Sequence, residues 1–283
     1  MKSKFVLTCM FFLIARLAEG ATLEYKRLDS SPDQANNPVN FRDLTLSGEI
    51  KTGDAKKLLA MLLDPKSPYF SGVIVNSPGG SVDEAIKIAK LVKSLYTPVS
   101  VDPNGYCASA CFFIFLAGSG RSASPAELMG TAERRVQDES LRKHGLPPTP
   151  GSVGLHRPFL TRIDGLNNKQ SDGMRFVASY LEGELLPRRL IDLMMSKPSN
   201  DIYWLKDDDL AGLGDYPPEQ EEYFIQKCGY DRNHIAKVLA SRDRSTIRKI
   251  TEKALKANDC MSQVTSDANS TTMRKLKSGW LPY

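Results

Sequence analysis

Histidine is scarce in this chain of 283 residues; only His144, His156 and His234 occur. No Cys-x-x-Cys pair accompanies them, so a metal centre of imidazoles and thiolates has little to draw on and none is expected. A concentrated basic stripe is also missing. The net charge of +5 is spread along the whole chain and leaves no electrostatic footprint for nucleic acid. There is no internal repeat and no low-complexity tract, which sets aside solenoids and arrays. Beyond Leu17 no apolar run approaches the about 20 residues that a membrane-spanning helix needs. What remains is an ordinary globular composition, 41% hydrophobic and 25% charged, sufficient for one substantial domain and a smaller appendage.

The first residues differ from the rest. Lys2 and Lys4 precede an apolar run from Phe5 to Leu17, interrupted by Thr8, Cys9 and Arg16, and Ala18-Glu19-Gly20 follows. A charged start, an apolar centre and small residues at both positions read by a signal peptidase form the pattern of a secretory leader. Residues 1–20 are therefore expected to be a signal peptide cut after Gly20, and the mature chain to be soluble and exported to the periplasm. The competing reading keeps the segment as a monotopic anchor. Cys9 lies inside the run and is poorly placed for lipid attachment. Four cysteines remain: Cys107, Cys111, Cys228 and Cys260. In an oxidising compartment the economical pairing is Cys107 with Cys111 and Cys228 with Cys260. Against a bond at the first pair stands the reading of two buried thiols serving as small apolar side chains.

Residues 21–40 are polar and rich in Pro, Asn and Asp and read as a linker. From residue 41 the pattern changes. Leu44 to Ile50 alternates as a strand does, and Asp54 is placed to cap a helix burying Leu58, Leu59, Met61, Leu62 and Leu63. Val73-Ile-Val75 is a short apolar strand stopped by Asn76-Ser-Pro-Gly-Gly80. A helix follows over about 82–95, then a strand at Pro98–Val101, a turn at Asn104-Gly105 and a buried helix from Ser109 to Leu116. Strand and helix alternating at this interval imply crossover connections and a largely parallel sheet. Residues from about 123 to 150, closed by Pro147-Pro-Thr-Pro150, lack firm periodicity and read as a surface insertion. A strand at Ser152–His156 resumes the core, and a long helical stretch over about 170–195 is interrupted at Pro187. From Pro218 onward Ile235, Val238, Leu239, Ile247, Ile250 and Leu255 recur at helical spacing, which assigns residues 217–283 to a helical C-terminal extension.

Three segments carry chemistry-bearing residues. Asn76-Ser-Pro-Gly-Gly-Ser-Val82 ends a strand on two glycines, whose open φ range lets backbone N–H groups point outward and form an oxyanion hole. Taken alone it is an ordinary strand-to-helix turn. Gly105-Tyr-Cys-Ala-Ser-Ala-Cys111 sets Ser109 among very small residues at a helix start, where unpaired N–H groups and the helix dipole favour negative charge. Taken alone Ser109 is an N-cap serine. Gly151-Ser-Val-Gly-Leu-His-Arg-Pro158 delivers His156 at a strand end, where a structural histidine is the commoner case.

In this order the three segments resemble the Clp protease proteolytic subunit and its relatives. The resemblance runs from about residue 41 to 216, through Asp201, the aromatic pair after it, and Asp209-Leu-Ala-Gly-Leu213. It is nearest to the exported Clp-like proteins that carry a Cys-x-Ser-x-Cys turn. It implies an α/β, crotonase-like fold of repeated ββα units, with the tail outside it. It further implies Ser109 as nucleophile, His156 as general base, Asp201 as the acid orienting the imidazole, and the N–H groups of Gly80 and Ala110 as the oxyanion hole. Two departures stand out. The interval between Ser109 and His156 exceeds the family's, the surplus falling in the Pro-rich insertion, and Asp207, Asp208 and Asp209 compete with Asp201. Gly151-Ser-Val-Gly154 also resembles the signal peptide peptidases, which use a serine–lysine pair. On that reading Lys169 is the base.

The expected function is an exported serine hydrolase, an ATP-independent peptidase acting on peptides or unfolded proteins with no cofactor. No ATPase partner is expected, since an exported protein has no evident ATP supply. The resembling family forms rings through the helical stretch after its histidine. Met174, Phe176, Val177, Leu181 and Leu185 are compatible with a homo-oligomer here and equally with a core stripe. From a different class, the same fold could serve as a catalytically inactive binding or assembly module. Crotonase-type acyl-CoA chemistry shares the fold without a nucleophilic serine at this turn.

Overall fold

The computed structural model describes residues 20–27, 42–68, 70–123, 151–158, 177–184, 186–198, 200–214 and 216–283. The expected leader up to residue 19, the insertion beyond Ala123, His144 and Lys169 lie outside them. Among the described residues no helix is long and apolar enough to cross a membrane.

The main sheet is built on β3 (Phe70–Asn76), where Val73 and Val75 are buried. Its parallel neighbours are β2 (Arg42–Ser47) and β4 (Val99–Val101), and β6 (Arg121–Ser122) extends it beyond β4. At the other edge β1 (Thr22–Arg27) runs antiparallel to β2, giving the order β1-β2-β3-β4-β6. Polar composition places these six residues in a linker; in the structure they form an edge strand, with Ala21 buried at its start. Period-2 alternation over so short a polar stretch gives little signal, and pairing with β2 decides its state.

Helix α1 (Asp54–Leu63) buries Ala55, Leu58 and Leu62. Its N-cap is Gly53, left-handed at φ 100°, rather than Asp54. The Asp54 carboxylate turns inward and is fully buried. Helix α2 (Val82–Ser94) buries Ala85, Ile86, Ile88, Ala89, Leu91 and Val92, and the Ser81 hydroxyl accepts from the Glu84 amide at its start. Helix α3 (Cys111–Leu116) is buried on every side, as its Cys-Phe-Phe-Ile-Phe-Leu sequence demands. Packed between the sheet and α2, it forms the centre of the core.

A second sheet pairs β5 (Tyr106–Ala108) in parallel with β7 (Ser152–Leu155), and β7 antiparallel with β8 (Tyr203–Trp204). Strand β5 is absent from the sequence reading, because three residues beside an Asn-Gly turn carry no periodicity. Residues 177–183 are helical, followed by α4 (Arg188–Ser196) and α5 (Asp207–Leu213). Val177 and Leu181 lie in this chain's own core. The tail forms α6 (Pro218–Cys228), α7 (His234–Ala240) and α8 (Arg244–Lys277). The α/β fold with a helical C-terminal region is thus the one observed.

Candidate active site

The two sheets join at Ser77, whose N–H donates to the Tyr106 carbonyl (2.8 Å) while its own carbonyl accepts from Ala108 N–H (3.0 Å). Strands β3 and β5 therefore end side by side, and the Pro78-Gly79-Gly80 turn emerges beside Ser109. The next rung joins β5 to β7: Ser109 N–H donates to the Gly154 carbonyl (2.9 Å). There the chain reverses into α3. Ser109 adopts φ 56°, a left-handed conformation that costs a non-glycine residue about 1–2 kcal/mol. It stands before the helix, whose N-cap position is Ala110, so the N-cap role does not apply. Cys107, Ala108, Ala110 and Cys111 are buried, while Ser109 between them is only half-buried. A disulfide joins Cys107 to Cys111, with Cα atoms 5.3 Å apart, and spans the turn. The chain thus presents one serine on a left-handed turn between strand and helix.

Gly79 is pressed against this turn. A Cβ on it would lie 2.6 Å from Ser109 Cβ and 2.8 Å from the Ala110 nitrogen, at a φ of 97°. Its own N–H is taken by the Ser77 hydroxyl (3.1 Å). Gly80 sits between two bonds to Ile50: Ile50 N–H donates to the Gly79 carbonyl and Ser81 N–H to the Ile50 carbonyl, both at 2.8 Å. The N–H groups of Gly80 and Ala110 have no hydrogen-bond partner among the described residues. One of these donors follows Ser109 directly, and the other follows Gly79, the glycine against it.

His156 follows β7 and is buried. The parallel register Ala108 with Gly154 brings it to the same sheet end as Ser109. Its Nδ1 lies 2.8 Å from the Arg157 carbonyl. A carbonyl can only accept, so this contact gives Nδ1 a proton; in the neutral imidazole the lone pair is then on Nε2, the tautomer a general base requires. Asp201 Oδ2 accepts from Lys197 Nζ at 3.0 Å, and the Lys197 carbonyl accepts from Arg157 N–H at 3.1 Å. Asp201 therefore reaches the histidine segment through the backbone. Gly154 lets β8 cross closely, since a Cβ there would sit 2.6 Å from Ile202 and Trp204.

Asp209 is a buried carboxylate. Arg189, the Tyr203 hydroxyl (2.9 Å) and the Lys206 amide (3.0 Å) donate to it. Burial opposes its ionisation, but these three donors outweigh burial and hold the carboxyl below its usual range. Cys228 and Cys260 form the second disulfide and tie α6 to α8. The Arg157 carbonyl is the contact that sequence reasoning passed over, and of the two glycines it singled out for this turn Gly79 is the one against Ser109. A Gly-Gly pair does not reveal which glycine touches the turn, and a main-chain carbonyl leaves no mark in residue type.

Residues 29–129 match the model of the Clp protease family. Among solved structures, ClpP1 from Listeria monocytogenes is 20% identical, with a TM-score of 0.40, over 61% of this chain and 86% of that one. A mutant of the 1510-N membrane-bound stomatin-specific protease is 14% identical, with a TM-score of 0.39, over 66% and 83%. No curated protein matches the chain.

Proposed function

From a chain that carries a Clp protease region, we propose an exported serine peptidase that works without an ATPase on peptides or unfolded proteins. Ser109 attacks the scissile carbonyl, and His156 takes the hydroxyl proton at Nε2 and returns it to the leaving amine. The amides of Gly80 and Ala110 receive the oxyanion; such a donor supplies about 3–4 kcal/mol of barrier reduction. Asp201 is a positioning residue acting through Lys197 and the Arg157 carbonyl. The observation that carries this reading is Ser109 at φ 56°, half-exposed between buried neighbours and against Gly79. Export is supported by two disulfides, which persist in oxidising compartments. A homo-oligomer remains part of the proposal, although Val177 and Leu181 of the candidate interface stripe are core residues here. The test is a fluorophosphonate probe on the purified protein. Label at Ser109, lost in Ser109→Ala, is expected; intact protein that never takes label would favour a binding module on the same fold.

A further inference from the structure

Asp54 is a carboxylate with no exposed surface, at the start of α1. Its Oδ2 accepts from the Ala21 nitrogen at 2.9 Å and from the Lys51 amide at 2.7 Å; its Oδ1 accepts from Lys57 Nζ at 2.8 Å. Ala21 is itself buried. Gly20 lies so close to the carboxylate that any side chain on it would collide with Oδ1. A carboxylate offers about four lone-pair positions. Three are used, and Gly20 crowds the fourth.

We infer that Asp54 is the receptor for an α-ammonium group at Ala21, created when the chain is cut after Gly20. This rests on the export reading and not on the peptidase chemistry. Hydrolysis breaks the Gly20–Ala21 amide with one water. The oxygen leaves on the Gly20 carboxylate and the hydrogens pass to the Ala21 nitrogen, which is an ammonium at neutral pH. The nitrogen that donates one neutral N–H to Asp54 becomes a cation with three donors. Removal of Gly20 opens Oδ1 to it. A charge-assisted hydrogen bond inside the protein is stronger than the neutral N–H hydrogen bond it replaces.

The consequence reaches the candidate site by a short covalent and hydrogen-bonded route. Asp54 also holds the Lys51 amide, and the preceding residue, Ile50, brackets Gly80 through its own N–H and carbonyl. Processing at Ala21 thereby fixes the segment that sets the position of the Gly79-Gly80 turn. Lys57, with half of its side chain exposed, is the cation already on the carboxylate, and Lys51 Nζ is paired with Glu49.

The test needs no catalytic assay. A chain beginning at Ala21, released from a fusion that leaves no extra residue, is compared in urea unfolding with one retaining Glu19 and Gly20. Each is made with Asp54 and with Asp54→Asn. The expected result is an unfolding constant about tenfold or more lower for the free Ala21 terminus, with the difference absent in Asp54→Asn. Should Asp54→Asn fail to fold, an amine-acylating reagent at neutral pH supplies the second readout. The Ala21 amine is expected to react at least about tenfold more slowly in folded than in urea-unfolded protein. Equal stability of the two starts, or equal acylation in both states, overturns the inference. Absence of fluorophosphonate labelling would leave it standing.

Discussion

Ser109 holds a left-handed backbone that its side chain does nothing to favour, and the neighbouring glycine can approach only because it has no Cβ. Strain kept at one residue by buried neighbours on both sides is characteristic of functional positions. The acceptor at Nδ1 of His156 is the Arg157 carbonyl, while Asp201 forms a half-exposed pair with Lys197. Pairs that exposed contribute about 0.2–1 kcal/mol, so Asp201→Asn is expected to slow probe labelling by less than about fivefold. His156→Ala removes the base itself and should cost about 100-fold or more. Labelling rates at one neutral pH separate the two. A loss with Asp201→Asn as deep as with His156→Ala would return the carboxylate to direct contact with the imidazole.

At the scale of elements, what could be read from residues was what repeats. The apolar runs of β3 and α2, and the abrupt Pro-Gly-Gly stop between them, stand where periodicity puts them. Strands β1 and β5 were not legible, since each draws its state from a partner strand distant in sequence. Likewise Asp54 looks like a helix cap from its neighbours, and only the tertiary fold turns it inward. The start of α5 shows a second carboxylate of this kind. Asp209 joins α4, through Arg189, to β8, through Tyr203. Its folded-state carboxyl is held below the unfolded value. The stability it contributes is therefore present above about pH 4 and is lost as pH falls through the folded value. Asp209→Asn should cost about 1–3 kcal/mol at neutral pH, and this deficit should shrink toward about pH 2. Urea unfolding across that range checks it; a deficit constant down to about pH 2 would show that ionisation of Asp209 plays no part.

Over the whole molecule, the question is whether the tail is an appendage or part of the fold. The family match ends well before it, and its apolar residues are not uniformly buried: Ile235, Leu239 and Leu255 are mostly exposed. Periodicity makes these segments helical without saying what they cover. The docking comes from other residues: Ala257, Met261, Thr272 and Leu276 are the buried residues of α8. Thr272 Oγ1 donates to the Ser94 carbonyl at 2.6 Å and Asn269 Nδ2 to the Leu95 carbonyl at 2.9 Å, capping the C-terminal end of α2. Leu276 inserts into the central core with 2% exposure. Helix α2 begins at the Gly79-Gly80 turn and packs on α3, which begins beside Ser109, so α8 braces the element between them. Core and extension should accordingly unfold as one unit. Leu276→Ala is expected to lower stability by about 2–5 kcal/mol, and one transition should be seen by both near-UV and far-UV signals. A second, earlier transition confined to helical signal, with Ser109 labelling intact after it, would show that the extension is carried by the domain and does not support it.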